Sequence, residues 1–129
     1  MSSRTRIGPF SVITNGDMSS SITSTATDLQ SVSKISYQYS WTGTLPVGTI
    51  GVQVSNDCTV LTTGGITGGT WTTLILDVNG IPVDAIPLSG ASGNGFIDLT
   101  DTSAFAIRLI YTRTSGTGTL TATIFGRVS

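Results

Sequence analysis

The sequence predicts an all-β protein: an antiparallel β-sandwich, jelly-roll-like, of about eight or nine strands. Three observations carry that prediction. Apolar residues alternate with Ser, Thr and Gln at period two, as in Ile35-Tyr37-Tyr39-Trp41 and Ile50-Val52-Val54, which is the mark of half-buried strands. Turn residues recur at a spacing of about 8 to 12, as in sandwiches and barrels. No segment carries the 3.6-residue period of a helix.

Taken in order, residues 1–9 read as a flexible N-terminal arm, without hydrophobic period and ended by Gly8-Pro9, and residues 10–129 as a single sandwich domain. At 129 residues one core suffices, with roughly two thirds of the unfolded surface buried. Phe10-Ser11-Val12-Ile13 is a short strand closed by Asn15-Gly16-Asp17. Ser19 to Asp28 is rich in Ser and Thr; Ile22 and the threonines favour extended backbone, so it is predicted as an edge strand. Lys34 to Trp41 and Gly48 to Ser55 both alternate, with Thr42-Gly43-Thr44-Leu45-Pro46 as the loop of an antiparallel pair.

Asn56-Asp57 turns the chain and Cys58 to Thr62 forms one more short strand. The run Gly64-Gly65-Ile66-Thr67-Gly68-Gly69 is too glycine-dense for a sheet interior and reads as a loop. Trp71 to Val78 and Ile81 to Ile86 flank Asn79-Gly80, a hairpin signal because both central residues of a type I′ turn need positive φ. Ser89 to Gly95 is another loop, leading into Phe96-Ile97-Asp98-Leu99. Ala104 to Thr114 and Thr119 to Val128 form a last hairpin about Ser115-Gly116-Thr117-Gly118, with Phe105, Ile107, Leu109 and Tyr111 on one face of its first strand and Leu120, Ala122 and Ile124 on one face of its second. This hairpin is expected at the centre of the core.

Composition narrows the function. Charged residues are 10% of the chain against an ordinary share of about 25%, so the exterior lacks an ionic coat and is expected to be covered by other protein chains. There is no histidine, and all seven acidic residues are aspartates. Asp98 with Asp101, or Asp77 with Asp84, would be the carboxylate pairs for glycoside hydrolysis, which needs two such groups roughly 5 to 10 Å apart; at strand ends, aspartate more often caps a turn. Asp77-Val78-Asn79-Gly80 lacks the distal glutamate of a calcium loop, and the glycine runs lack the Gly-Lys-Ser/Thr of a phosphate loop. The expectation is therefore no enzyme, no cofactor and no metal site.

Cys58 stands alone, which excludes an internal disulfide and a cysteine zinc site. The six basic residues, Arg4, Arg6, Lys34, Arg108, Arg113 and Arg127, are scattered except for the first two, and net charge is -1; no nucleic acid is expected as partner. Mean hydropathy is +0.27, yet the densest apolar run, Ala104 to Tyr111, is interrupted by Arg108 and falls short of the roughly 18 residues of a membrane helix, so membrane insertion is not expected. The N-terminus has no apolar stretch of a secretory signal, which predicts synthesis in a cytoplasm, where the protein is kept until it is assembled or released. Trp71, beside a glycine loop, is the aromatic expected to touch a ligand, while Tyr37, Tyr39 and Trp41 at period two read as core. Arg108 is predicted either as solvated or as paired with an aspartate of a neighbouring subunit, and Arg113 is a second interface candidate.

The segments Tyr39-Ser40-Trp41-Thr42-Gly43-Thr44, Gly51-Val52-Gln53-Val54-Ser55-Asn56-Asp57, Thr70-Trp71-Thr72-Thr73-Leu74 and Ile107 to Leu120 (IRLIYTRTSGTGTL), in that order, resemble a family of small β-sandwich domains in tailed-phage virion proteins, also seen at the tips of trimeric adhesive fibres of bacteria. The resemblance spans about Asp28 to Arg127. It implies a structural or adhesive role, commonly as a homotrimer, and supplies no catalytic motif. Because the domain is nearly the whole sequence, with no fibre shaft before it, the expected protein is a virion-located capsid decoration (cement) protein bound to the major capsid protein or another virion protein. Arg4, Arg6, Ile7 and Phe10 of the arm are then its tether. The alternative is a receptor-binding or adhesive fibre tip that recognises a host-surface glycan.

Overall fold

A computed structural model describes residues 6–29, 32–63, 65–99 and 103–128. Its strands are β1 (Arg6–Asp17), β2 (Ile22–Thr23), β3 (Thr27–Asp28), β4 (Lys34–Ser55), β5 (Thr59–Val60), β6 (Ile66–Thr67), β7 (Thr72–Leu74), β8 (Leu76–Val78), β9 (Ile81–Val83), β10 (Ile86–Ser89), β11 (Ser92–Leu99) and β12 (Ala106–Arg127). All pairings are antiparallel, and no helix occurs among the described residues. The predicted all-β antiparallel class is the one found.

Two strands of 22 residues each, β4 and β12, organise everything else. They pair along their whole length, from Ala106 opposite Ser55 to Arg127 opposite Lys34. Midway the register slips twice: β12 holds one extra residue between Arg113 and Ser115, and β4 one extra between Val47 and Thr44. The two bulges cancel in register but shift the side-chain phase of both strands by one. In β4 the buried positions run Ile35, Tyr37, Tyr39, Trp41 and then Pro46, Gly48, Ile50, Val52; in β12 they run Ile107, Leu109, Tyr111 and then Leu120, Ala122, Ile124. Between the phases, Thr42–Leu45 and Thr112–Ser115 are exposed. Leu45 at φ 46° and Gly116 at φ 80° supply the left-handed backbone there.

The bent pair serves two layers. The front layer runs β1, the 119–127 part of β12, the 34–42 part of β4, and β11. The back layer runs β2 and β3, the 106–111 part of β12, the 47–55 part of β4, and then β10 and β7. Inward side chains from both layers join one buried cluster, in which Tyr37, Ile50, Leu109, Tyr111, Leu120 and Ile124 are fully enclosed. The architecture is thus a sandwich whose sheets share two continuous strands.

Several predicted boundaries are corrected. The runs 34–41 and 48–55 are one strand and not a hairpin, and Ala104 to Val128 likewise passes straight through its expected turn. Both predicted loops, at 42–46 and 115–118, are bulges, because each segment finds its hydrogen-bond partner in the other long strand and not in its own neighbour. The arm predicted for residues 1–9 is shorter among the described residues: Arg6 and Ile7 pair with Arg127 and Gly126, and Ile7 is 5% exposed in the core. Arg4 lies outside the described residues. The expected edge strand at 19–28 is reduced to β2 and β3.

The glycine-rich 64–69 run contributes β6, paired with β5, and the 89–95 loop is mostly β11. Within β11, Gly93 and Gly95 sit opposite Trp41 and Tyr39, and the two rings lie where a Cβ at either glycine would be. These glycines are strand residues that make room for aromatic faces. The Asn79-Gly80 hairpin is as predicted, with φ of 54° and 83°, and Asp77 caps it by accepting the Gly80 N–H at 2.7 Å.

Candidate functional site

The predicted site residues fall in two places. Trp71 and Arg108 come together on the outer face of the back layer. Arg108 stands opposite Gln53 and its Nε donates to Gln53 Oε1 at 2.8 Å. The guanidinium carbon lies 4.2 Å from the Trp71 ring centroid, a cation–π arrangement. Trp71 is held there because β7, which begins at the next residue, pairs with Val52–Val54 of β4, and because its indole N–H donates to Gly68 O at 3.0 Å. Partial desolvation lowers the Arg108 pKa from its ordinary value.

Behind this cluster, Asp57 anchors the incoming loop by accepting the Thr70 N–H at 2.7 Å and the Ser55 hydroxyl at 2.9 Å. These bonds, the Thr70 one first, hold its carboxyl below the usual value. Arg113 stands apart: its Nε donates to Gly116 O at 3.0 Å and its backbone N–H to Ser21 Oγ at 3.0 Å, so it braces the bulge. Of the carboxylate pairs, Asp101 lies outside the described residues, and Asp77 is occupied with its turn.

Of the arm residues, Ile7 is core, as corrected above, while Phe10 is 54% exposed and Arg6 is exposed. Arg6, Phe10 and the Thr25–Asp28 segment line an open hollow of about 540 Å³.

The outer face of the front layer is the larger feature, and no motif announced it. Its cross-strand rows are Asp17–Thr119–Thr42–Ser92, Thr121–Ser40–Asn94 and Ser11–Thr123–Gln38–Phe96, whose one charge is Asp17 at the β1 edge. Phe96 is 61% exposed. A shallow hollow of about 370 Å³ lies over the first two rows beside Asn15. The next row is Phe125–Ser36–Asp98, and the last described row is Arg6–Arg127–Lys34. Three of the six basic residues, distant in sequence, therefore stand side by side at one end of the sheet. The only sequence signal for this row is that each sits on the polar phase at a strand end, which does not say which ends meet.

Among the described residues no group of three or more His, Cys, Asp and Glu side chains converges. No helix is long and apolar enough to cross a membrane. No protein-family model and no curated protein sequence matches the chain. Among solved structures it is similar to the crystal structure of SPBc2 prophage-derived protein YomS, with a TM-score of 0.51 and 11% identity over 97% of this chain and 93% of that one. At this identity the likeness supports a shared fold.

Proposed function

We propose that this chain is a non-enzymatic structural protein of a phage virion: a capsid decoration protein that assembles with copies of itself, as a homotrimer, and with the major capsid protein. The observation that carries the reading is the front outer face, three rows whose one charge is Asp17 at the β1 edge, with an exposed Phe96. Protein interfaces are depleted in charge at their centres and enriched in aromatic residues and arginine, and a charge-poor open sheet face on a free monomer invites association. The prophage origin printed for the structural neighbour and the sequence resemblance to tailed-phage virion domains agree with it. The absence of histidine and glutamate from the sequence leaves few groups suited to proton transfer near neutral pH.

The reading is tested by adding the purified protein to capsids that lack it. Stoichiometric occupancy in sedimentation and a raised capsid melting temperature are expected. Ser40→Lys with Thr121→Lys, which places charge on the open face, is expected to abolish occupancy while the protein stays folded. No binding by the unaltered protein would overturn the proposal. Solution mass separates monomer from trimer in the same preparation.

The adhesive-tip alternative rests on Trp71. One face of that ring is taken by Arg108 and its N–H by Gly68, which leaves a single face for a sugar. A glycan array probed with the protein and with Trp71→Ala tests it; signal lost in the variant would favour the tip.

A further inference from the structure

We propose that the row Arg6–Arg127–Lys34 is a seat for an acidic segment of another protein, gripped by its carboxylates. The inference deepens the virion reading and rests on it only for the partner's identity. Register places the three residues directly opposite one another on β1, β12 and β4. Adjacent strands lie about 4.8 Å apart, so the three stems span roughly 10 Å in a line. Their neighbours Ile7, Gly126 and Ile35 are buried, and the two-residue alternation therefore turns all three outward.

Like charges directly opposite on a sheet repel. None of the three cationic groups has a salt bridge among the described residues; the carboxylate nearest in register, Asp98, lies one row away on β11, and Asp28 lines the hollow beside Arg6. A partner carboxylate would be held by arginine forks, which bind carboxylates bidentately, with Lys34 as a third cation. Phe125 in the adjoining row offers apolar surface beside the charges, and rows mostly of Thr, Ser, Gln and Asn continue from there. That sequence of cation, aromatic and neutral polar surface is the anatomy of a protein interface. A nucleic acid is disfavoured, since phosphate tracking needs a longer cationic path and this chain carries a net charge of -1.

Titration of a labelled Asp/Glu-rich peptide into the whole protein tests the site. Binding at low salt is expected, falling as salt screens the exposed charges. Affinity is expected to drop about tenfold for Arg127→Gln and again for Lys34→Gln, each step corresponding to one lost charged contact. Melting temperature should hold or rise in both variants, because repulsion is relieved. An absence of peptide binding, equal affinity in the double variant, or tighter binding of inorganic phosphate or duplex DNA would overturn the proposal. Full capsid occupancy by the double variant would also overturn it while leaving the virion reading intact. Peptide binding by a protein that ignores capsids would support the seat and remove that reading.

Discussion

The front and back layers are built from the same two strands, yet their outer faces have opposite fates. Over the outer face of the back layer the chain folds back at Trp71 and at Asp84–Ala85. Trp71 lies on Arg108, and Asp84 O and Ala85 Cβ come so close to Gly51 that an added Cβ would lie 3.2 and 3.7 Å from them. The outer residues Gln53, Arg108 and Ile110 are half-buried as a result. No loop is packed on the front layer's rows in the same way: Thr42, Gln38, Ser40, Thr119 and Phe96 are exposed, and Ser36, Thr121, Thr123 and Phe125 are half-buried. The chain supplies its own lid for part of one face and leaves the other open.

Four measurements would break or sharpen that contrast. The largest effect is expected from Gly95→Val, which pushes a branched side chain into the space of the Tyr39 ring on the inner side of the front layer. A loss of about 2 kcal/mol is expected from overpacking, read by denaturant unfolding; an unchanged midpoint would mean the ring does not rest on β11.

Next is Tyr37→Phe. The Tyr37 hydroxyl is enclosed with no hydrogen-bond partner among the described residues, and burial pushes its pKa far up. Removing a buried unsatisfied hydroxyl is expected to raise stability by about 1 kcal/mol, and a loss on the same unfolding curve would show that the hydroxyl is partnered.

A double-mutant cycle on Arg108→Ala and Trp71→Ala should give a coupling of about 0.5 to 1 kcal/mol for a partly exposed cation–π pair. Zero coupling would mean the lid is not held through this pair.

The smallest effect is local and depends on pH. The folded-state pKa of Asp57 lies below its ordinary value of 3.8, so its contribution is fully present above that value and is lost as pH falls through the folded pKa. Hydrogen-exchange protection of residues 57–74, taken relative to the intrinsic rate at each pH, is therefore expected to fall below about pH 4, before the front layer responds. Simultaneous exchange in both layers would contradict a separately anchored lid.

Some of this was legible in the residues themselves. Alternation at 35–41, 50–54 and 107–111 announced strands and core, because a two-residue period has only one interpretation when one face is apolar. Asn79-Gly80 announced its turn because the backbone geometry is local. The aromatics at 37, 39 and 41 were correctly placed inside for the same reason. The loops at 42–46 and 115–118 were misread because a bulge and a turn use the same glycines and threonines, and only a partner strand distinguishes them. Likewise Gly93 and Gly95 looked like loop residues until the rings of Trp41 and Tyr39 were brought against them.

What the residues determined alone is the class of fold, the inward side of each strand, and a surface poor in charge, since these follow from periodicity and composition. The tertiary structure decided which strands meet, and with that the continuous bent pair, the lid on one layer, and the meeting of Arg6, Lys34 and Arg127. Lys34 and Arg127 lie at opposite ends of the sequence's strand-rich region and become neighbours only through a register set by long-range hydrogen bonding. Pairing between distant strands depends on the packing of the whole sheet, and no local preference encodes it.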